Sequence, residues 1–264
     1  MCCQPPKRID DIDSLYAQNV ARINSAPHNL PIIGITGGEP TILGGKLITL
    51  IKLIRTQLPH TDIHLLTNGR SFQDMRYAKQ VVEAGGDKLI LGIPLHSDYE
   101  SDHDLIAGAK GAYNETMLGL YNIAMLGGCI ELRIVMNRLN YQRFQPMAAF
   151  IHKNLPFVAW TAFMGMERVG YADQRADKIW IEPFHYVSQL TRAVHYLDGF
   201  HHEVAIYNIP LCLLPTGLHP FAKQSISDWK NYYPHLCNEC KLKEVCCGLF
   251  STSSKAYQQL HPIQ

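Results

Sequence analysis

The sequence lacks several features that would assign it to a common functional class. It has no run of about 18 apolar residues, which a membrane-spanning helix needs, and its start, Met1-Cys2-Cys3-Gln4-Pro5-Pro6, lacks the apolar core of a secretory signal. The formal net charge is only +1, from 24 basic and 23 acidic residues, so no basic field predicts a nucleic-acid partner. We therefore expect a cytoplasmic protein that binds neither nucleic acid nor membrane.

The cysteines, by contrast, are numerous and unevenly placed. Of the eight, Cys2 and Cys3 open the chain and Cys129 stands alone in its middle. The other five lie in the last fifth of the chain: Cys212, Cys237, Cys240, Cys246 and Cys247. In a reducing compartment, clustered cysteines indicate metal or redox sites sooner than disulfides.

Strand-like and helix-like segments alternate through the middle of the 264 residues. The apolar runs that predict buried strands are 32–35, 63–66, 88–93, 130–136, 157–163 and 204–207. Amphipathic stretches between them predict helices, so we expect an α/β fold with a parallel sheet, either flat or curled as a partial barrel. A helix-like segment at 9–23 precedes the first of these strands, which suggests that a still earlier strand is missing.

Polar residues follow the first strand and are candidates for ligand binding. In Thr36-Gly37-Gly38-Glu39-Pro40-Thr41, the two glycines allow a ligand to approach the backbone closely. Pro40 favours an extended conformation for Glu39, whose carboxylate could accept hydrogen bonds from a ligand ammonium group. The alternative interpretation is an ordinary turn between a strand and a helix.

Three further polar residues lie at or near later strands. Asn68, in Thr67-Asn68-Gly69, and Ser97 each follow a strand, and the carboxyl ends of parallel strands are where such folds carry their sites. Arg133 lies inside an apolar strand, where a charge is costly unless it is paired. We expect Arg133 to meet an anion inside the sheet or barrel; the alternative is an arginine exposed at a sheet edge.

The C-terminal cysteines have the spacing of a metal site. Cys237 and Cys240 form a Cys-x2-Cys pair, Cys246 follows after five residues, and Cys212 lies upstream as a remote fourth ligand. Spacing alone does not distinguish zinc from an iron–sulfur cluster, since both accept four thiolates.

These motifs together resemble the radical S-adenosylmethionine (SAM) superfamily and, within it, the maturase family of the His-Xaa-Ser repeat system. The resembling stretches, which extend over essentially the whole chain, are Met1-Cys2-Cys3-Gln4-Pro5-Pro6-Lys7, Ile35-Thr36-Gly37-Gly38-Glu39-Pro40-Thr41, His103-Asp104-Leu105-Ile106-Ala107-Gly108, Phe163-Met164-Gly165-Met166-Glu167, Tyr207-Asn208-Ile209-Pro210-Leu211-Cys212 and Ser225-Ile226-Ser227-Asp228-Trp229-Lys230.

The resemblance implies a partial (β/α) barrel and a catalytic [4Fe-4S] cluster that cleaves SAM reductively to a 5′-deoxyadenosyl radical. In the superfamily three cysteines of a CxxxCxxC loop hold this cluster, and Cys2 matches the third of them. The other two cysteines and the first strand are missing from the chain, so we expect the chain as written to be inactive. The residues that would line the SAM site are Gly37, Gly38, Glu39, Pro40, Asn68, Ser97 and Arg133.

The resemblance also implies an auxiliary iron–sulfur cluster in the tail, held by Cys212, Cys237, Cys240 and Cys246. Cys247 replaces a glycine of the usual Cys-Gly-Gly ending, so an exchange of ligand roles between Cys246 and Cys247 stays open. We accordingly divide the chain into a radical SAM core, residues 1–208, and a cysteine-rich segment, residues 209–264.

Two functions from different classes follow. The first is an enzyme that matures a ribosomally synthesised His-Xaa-Ser repeat peptide, with a reductant protein and a second maturase as further partners. The alternative is a catalytically incomplete peptide-binding module whose tail holds structural zinc. A nucleotide-binding α/β protein fits less well, because the phosphate-binding patterns Gly-x-Gly-x-x-Gly and Gly-Lys-Ser/Thr are absent. The modification itself is not specified by the sequence.

Overall fold

A computed structural model describes residues 12–224 and 231–264 of the chain. Cys2, the predicted catalytic-cluster ligand, and the motif at 225–230 lie outside the described residues. The helices are α1 (Ile12–Asn24), α2 (Gly45–Gln57), α3 (Met75–Gly85), α4 (Glu100–Ala107), α5 (Ala112–Met125), α6 (Phe144–Asn154), α7 (Tyr171–Gln174), α8 (Ala176–Ile179) and α9 (Pro183–Gly199). The strands are β1 (Ile32–Ile35), β2 (Asp62–Leu66), β3 (Leu89–Pro94), β4 (Cys129–Met136), β5 (Trp160–Gly165), β6 (Val204–Tyr207), β7 (Ala222–Lys223), β8 (Asn231–Tyr232) and β9 (Leu249–Phe250).

One compact unit comprises the described part of residues 6–94 together with 110–132. Here β1 pairs with β2, and β2 with β3, all in parallel, with Ile35 opposite Leu65. Helix α2 packs on α3, and α3 on α5. The buried face of α2 carries the helical spacing seen in the sequence and consists of Leu47, Leu50, Ile51 and Ile54.

The second compact unit comprises residues 95–109 and the described part of 133–264. Strand β6 pairs in parallel with β5 on one side and with the short β7 on the other. Helices α6 and α9 pack together, and the Phe144 ring of α6 makes edge-to-face contacts with Phe163 and Tyr186 at centroid distances of 5.8 and 6.0 Å. The tail residues from 209 onward belong to this unit, in which β8 and β9 form a small antiparallel pair.

The seven strands β1 to β7 form one sheet in the order of the sequence. The pairs β1–β2, β2–β3, β5–β6 and β6–β7 are all parallel. This consecutive order of parallel strands is that of a partial (β/α) barrel, so the predicted fold class is confirmed. The proposed division at residue 208 stays a prediction.

The predicted strands match the observed ones closely, with one clear difference. The fifth strand begins at Trp160, three residues later than predicted. The reason is a turn at the Leu155-Pro156 pair, closed by a hydrogen bond of 3.2 Å from the Val158 N–H to the Leu155 carbonyl. The short β7, added by the tail, was not predicted. In the described part of the chain, no helix is long and apolar enough to cross a membrane.

Helix α5 approaches the turn after β2 so closely that only glycine fits at position 119. A Cβ atom at Gly119 would lie well inside van der Waals contact of the Gly69 carbonyl oxygen, whereas a Cβ at Gly45, the first residue of α2, would meet nothing within 4 Å. We expect Gly119→Ala to lower the free energy of unfolding by about 1–3 kcal/mol, because the turn or the helix must move.

The matched control is Gly45→Ala, which should leave stability unchanged or raise it by up to about 1 kcal/mol. Urea denaturation of the two variants measures both values. Equal stability of the two variants would show that α5 does not constrain the turn.

Candidate functional site

The turn after β1 presents a carboxylate at the carboxyl edge of the sheet. Gly37 has a φ of 144°, outside the range that other residues adopt readily, and Gly38 is exposed. Glu39 is extended (φ −131°, ψ 105°) and immediately precedes a short 3₁₀ helix that begins at Pro40. This is the conformation that the following proline favours, so the glycine pair and the proline together set where the carboxylate lies.

The Glu39 carboxylate connects the turn after β1 to the loop after β2. Its Oε1 accepts hydrogen bonds from the Thr41 N–H (3.1 Å), the Thr41 hydroxyl (2.7 Å) and the Thr67 hydroxyl (2.6 Å). Its Oε2 accepts one hydrogen bond, of 2.7 Å, from the Asn68 N–H. Thr41 Oγ1 also lies 2.8 Å from Ser71 Oγ. Since a hydroxyl has one proton and a carboxylate only accepts, Thr41 donates to Glu39 and accepts from Ser71.

The two carboxylate oxygens of Glu39 accept different numbers of hydrogen bonds. Each carboxylate oxygen has about two acceptor sites, and Oε1 already has three donors around it. Among the described residues, Oε2 has Asn68 alone as donor. The acceptor capacity that remains for a ligand is therefore concentrated on Oε2.

The loop after β2 is itself held rigidly. The Asn68 carbonyl accepts a 3.1 Å hydrogen bond from Thr116 of α5, and Asn68 Oδ1 accepts one of 2.9 Å from the Arg70 N–H. Gly69 is left-handed (φ 78°). Asn68 therefore contacts the site through its backbone N–H, while its side-chain oxygen closes the turn.

A tyrosine supports the turn after β1 through a hydrogen bond to the backbone. The Tyr77 hydroxyl donates a 3.0 Å hydrogen bond to the Thr41 carbonyl. Burial, together with the nearby Glu39 charge, raises the pKa of Tyr77 to about 12. The hydroxyl therefore keeps its proton and remains a donor throughout the physiological pH range.

Ser97 and Arg133, the other two predicted SAM-site residues, lie in the second unit. Ser97 is buried, and its hydroxyl accepts a 3.1 Å hydrogen bond from the Tyr99 N–H. Arg133 is half-buried on β4, and its Nε donates to the Met164 thioether at 3.0 Å. That Ser97 and Arg133 contact SAM, and that Arg133 meets an anion, stay predictions.

A histidine–carboxylate pair on the strands was missed by the sequence analysis. Glu131 of β4 is only 3% exposed, and its Oε2 contacts Nε2 of His64 on β2. The available signal was the one that singled out Arg133, a charged residue inside an apolar strand, because a buried carboxylate requires a partner. Nothing in the sequence singled out His64, which the structure places at a half-buried position of β2.

The tail brings four cysteines to one cavity. Cys212, Cys237, Cys240 and Cys246 all line it, although Cys212 is separated from the others by more than twenty residues. Cys247 does not line it; this residue is buried, 6% exposed, and its Sγ lies 3.3 Å from the Gly248 carbonyl oxygen. Cys246 rather than Cys247 thus lines the cavity with the other three cysteines, and that these four residues hold a cluster stays a prediction.

Backbone N–H groups point at these sulfur atoms. Cys246 Sγ accepts from the N–H groups of Leu211 and Gly248, both at 3.4 Å, and Cys240 Sγ accepts from the Ile263 N–H, also at 3.4 Å. Such donors stabilise thiolate sulfur, the form that binds metal.

The pKa values of the thiols diverge accordingly. The Cys247 thiol, followed by the N–H groups of Leu211 and Gly248, lowers the pKa of Cys246 to about 6, although burial opposes this. Burial, followed by the charge of Cys246, raises the pKa of Cys237. The hydrogen bond to Cys246, together with burial, raises the pKa of Cys247 well above its usual range.

The four thiols do not form a preassembled single-ion site among the described residues. In the described part of the chain, no three or more His, Cys, Asp or Glu side chains lie close enough together to hold one metal ion. Four thiols nevertheless share the cavity. A donor set of four thiols is one that a tetrahedral zinc ion and an iron–sulfur cluster both accept.

No family model and no curated protein matches the chain, but solved structures do. A domain of pyruvate-formate lyase-activating enzyme from Bacteroides vulgatus is similar over 66% of this chain and 97% of its own, with a TM-score of 0.51 and 14% identity. Streptococcus suis SuiB bound to precursor peptide SuiA is similar over 78% of this chain and 44% of its own, with a TM-score of 0.60 and 11% identity. A histidine-tagged anSMEcpe with bound AdoMet matches over 71% of this chain and 48% of its own, with a TM-score of 0.50 and 17% identity.

These likenesses, all below 20% identity, show a shared fold. The chain spans less than half the length of the SuiB and anSMEcpe chains that it matches.

The divergent thiol pKa values predict selective alkylation of the metal-free protein. A pKa of about 6 makes Cys246 mostly thiolate at pH 7, whereas the raised pKa values of Cys237 and Cys247 keep these residues protonated. A limiting amount of iodoacetamide at pH 7 should therefore label Cys246 before Cys237 and Cys247. Labelling of Cys246 should slow below about pH 6, because its thiolate is then protonated, and the preference should fade as the pH rises towards the raised pKa values of the other two thiols.

Mass spectrometry of proteolytic peptides measures the order of labelling. The Cys246→Ser variant is the control and should lose the early label. Labelling of Cys237 ahead of Cys246 would contradict the hydrogen-bonding pattern described above.

Proposed function

We propose that this protein is a radical SAM enzyme that modifies a peptide, and that Glu39 receives the amino group of SAM. The observation that carries the proposal is the Glu39 carboxylate, fixed by Thr41, Thr67 and Asn68, with its spare acceptor capacity on Oε2. A methionyl ammonium has three donors, one of which can bind Oε2 without displacing an existing hydrogen bond.

The immediate surroundings of Glu39 support this assignment. Gly37 and Gly38 leave the backbone beside the carboxylate open, because a Cβ atom at either position would meet nothing within 4 Å. A ligand can therefore approach the edge of β1 closely, with Pro40 holding the turn and Asn68 closing the next loop. Ser97 and Arg133 complete the proposed set of SAM-contacting residues.

The catalytic cofactor is proposed to be a [4Fe-4S] cluster, which when bound supplies the electron for reductive cleavage of SAM to a 5′-deoxyadenosyl radical. Cys2 is its proposed ligand in this chain. The contribution of the described residues is to bind and orient SAM.

The tail is proposed to hold an auxiliary iron–sulfur cluster on Cys212, Cys237, Cys240 and Cys246. Two features support a thiolate-ligated site here: the four thiols line a common cavity, and N–H groups donate to at least two of the sulfurs. Cys247, outside the cavity lining, is assigned no ligand role.

A ribosomally synthesised peptide is the proposed substrate. SuiB, which shares the fold, was solved with a precursor peptide, and the motif resemblance favours a His-Xaa-Ser repeat peptide in particular. A reductant protein would supply electrons, and a second maturase would act on the same peptide.

The assignment of Glu39 predicts the effect of removing its charge. Glu39→Gln should weaken SAM binding about tenfold or more, because a charge-assisted hydrogen bond contributes about 1.5–3 kcal/mol. Isothermal titration calorimetry on anaerobically prepared protein measures the affinity, and thermal unfolding shows that the variant is folded.

The matched control is Glu83→Gln. Glu83 lies on the exposed surface of α3, where its ion pair with Lys79 is solvated, so this variant should bind SAM as tightly as the unaltered protein. Equal SAM affinity for the Glu39 and Glu83 variants would refute the proposed role of Glu39.

The substrate assignment is tested with a form of the protein that carries a complete CxxxCxxC loop. After anaerobic reconstitution and reduction, it should convert SAM to 5′-deoxyadenosine and change the mass of a His-Xaa-Ser repeat peptide, with a peptide of scrambled repeats as control. Formation of 5′-deoxyadenosine without a mass change would support SAM cleavage but reject the His-Xaa-Ser repeat peptide as the substrate. Bound zinc with no deoxyadenosine would favour the peptide-binding alternative.

A further inference from the structure

The last eight residues of the chain, 257–264, form a segment that we call the C-terminal strap. At its start, the Tyr257 ring meets the Trp180 ring edge-to-face at a centroid distance of 5.3 Å. The Gln258 N–H donates a 3.2 Å hydrogen bond to Oε2 of Glu182, a residue that is only 8% exposed. These contacts attach the beginning of the strap beside the N-terminus of α9.

The far end of the strap is attached at the cysteine cavity. The Ile263 carbonyl accepts a 3.0 Å hydrogen bond from the Lys241 N–H, and the Ile263 N–H donates to Cys240 Sγ at 3.4 Å. Between these two attachments, Leu260, His261 and Ile263 line the cavity. The strap is therefore a wall of the cysteine site, held at both ends.

The N–H groups that donate to the sulfurs of Cys246 and Cys240 come from different parts of the chain. Cys246 receives N–H groups from Leu211 and Gly248, which border cysteines of the site itself. Cys240 receives its N–H group from the strap. Reduction of a cluster adds negative charge that spreads onto the ligand sulfurs, so a donor at sulfur stabilises the reduced form and raises the reduction potential.

We propose that the C-terminal strap is a positioning element that tunes the auxiliary cluster, with the Ile263 N–H raising the reduction potential through its hydrogen bond to the Cys240 sulfur. The proposal rests on the proposed function, in which Cys240 is a cluster ligand. Ile263 acts through Cys240 and contacts no substrate.

Two substitutions at one position separate the N–H group from the side chain. Ile263→Pro keeps an apolar side chain and removes the donor, whereas Ile263→Ala keeps the donor and shortens the side chain. Gln264→Pro is the control for placing a proline in the strap, because in the described part of the chain its N–H donates to no cysteine sulfur.

The measurement is an EPR-monitored redox titration of the anaerobically reconstituted full chain. Ile263→Pro should shift the auxiliary-cluster potential to a more negative value, while Ile263→Ala and Gln264→Pro should stay at the value of the unaltered protein. A potential for Ile263→Pro equal to that of Ile263→Ala would overturn the proposal.

A second measurement needs no substitution. Ile263 is the only isoleucine among the described residues that line the cavity, so protein labelled with ¹⁵N-isoleucine should show a ¹⁵N coupling to the reduced cluster in pulsed EPR. Absence of that coupling would overturn the role of the strap even if Ile263→Pro fails to fold. An unaltered chain that binds no iron at all would instead reject the auxiliary cluster of the proposed function.

Discussion

The proposed chemistry depends on one carboxylate that is held between two strand ends. Glu39 follows β1, and the groups that donate to it follow either β1 itself, at Thr41, or β2, at Thr67 and Asn68. Parallel pairing puts Ile35 beside Leu65, so the residues after the two strands meet at one edge of the sheet. A half-buried charge is stable there because it accepts four hydrogen bonds, and the unequal distribution of these bonds leaves Oε2 as the oxygen that can receive a ligand.

In the tail, hydrogen-bond donors surround cysteine sulfurs in the way that they surround the Glu39 carboxylate. A segment with so many short 3₁₀ turns and two-residue strands buries little apolar surface of its own, and four of its thiols line one cavity. Backbone N–H groups from separate segments, at Leu211, Gly248 and Ile263, converge on the sulfurs. In both places, donors that the fold itself supplies surround the groups to which the proposed function assigns a ligand.

Much of the fold could be predicted from the sequence, because apolar runs and helical spacing are local signals. Strands β1 and β6 have their predicted bounds, whereas β5 is shorter because the turn at Pro156 competes with the strand. The extended conformation of Glu39 could also be predicted, because Pro40 follows it in Gly-Gly-Glu-Pro. The hydrogen-bond partners of Glu39 could not be predicted. No local pattern shows that the Thr67 hydroxyl, which follows the neighbouring strand, donates to Glu39, or that Asn68 donates to it through its backbone N–H. Which of Cys246 and Cys247 lines the cavity likewise could not be predicted, because adjacent residues differ in which way each side chain points.

The most direct test of this account is a crystal structure of the protein with SAM bound. The quantity to measure is the distance from Glu39 Oε2 to the methionyl nitrogen of SAM. The account predicts about 2.7–3.0 Å, with the hydrogen bonds from Thr41, Thr67 and Asn68 to Glu39 still in place. A SAM amino group bound elsewhere, with Glu39 contacting only its protein partners, would contradict it.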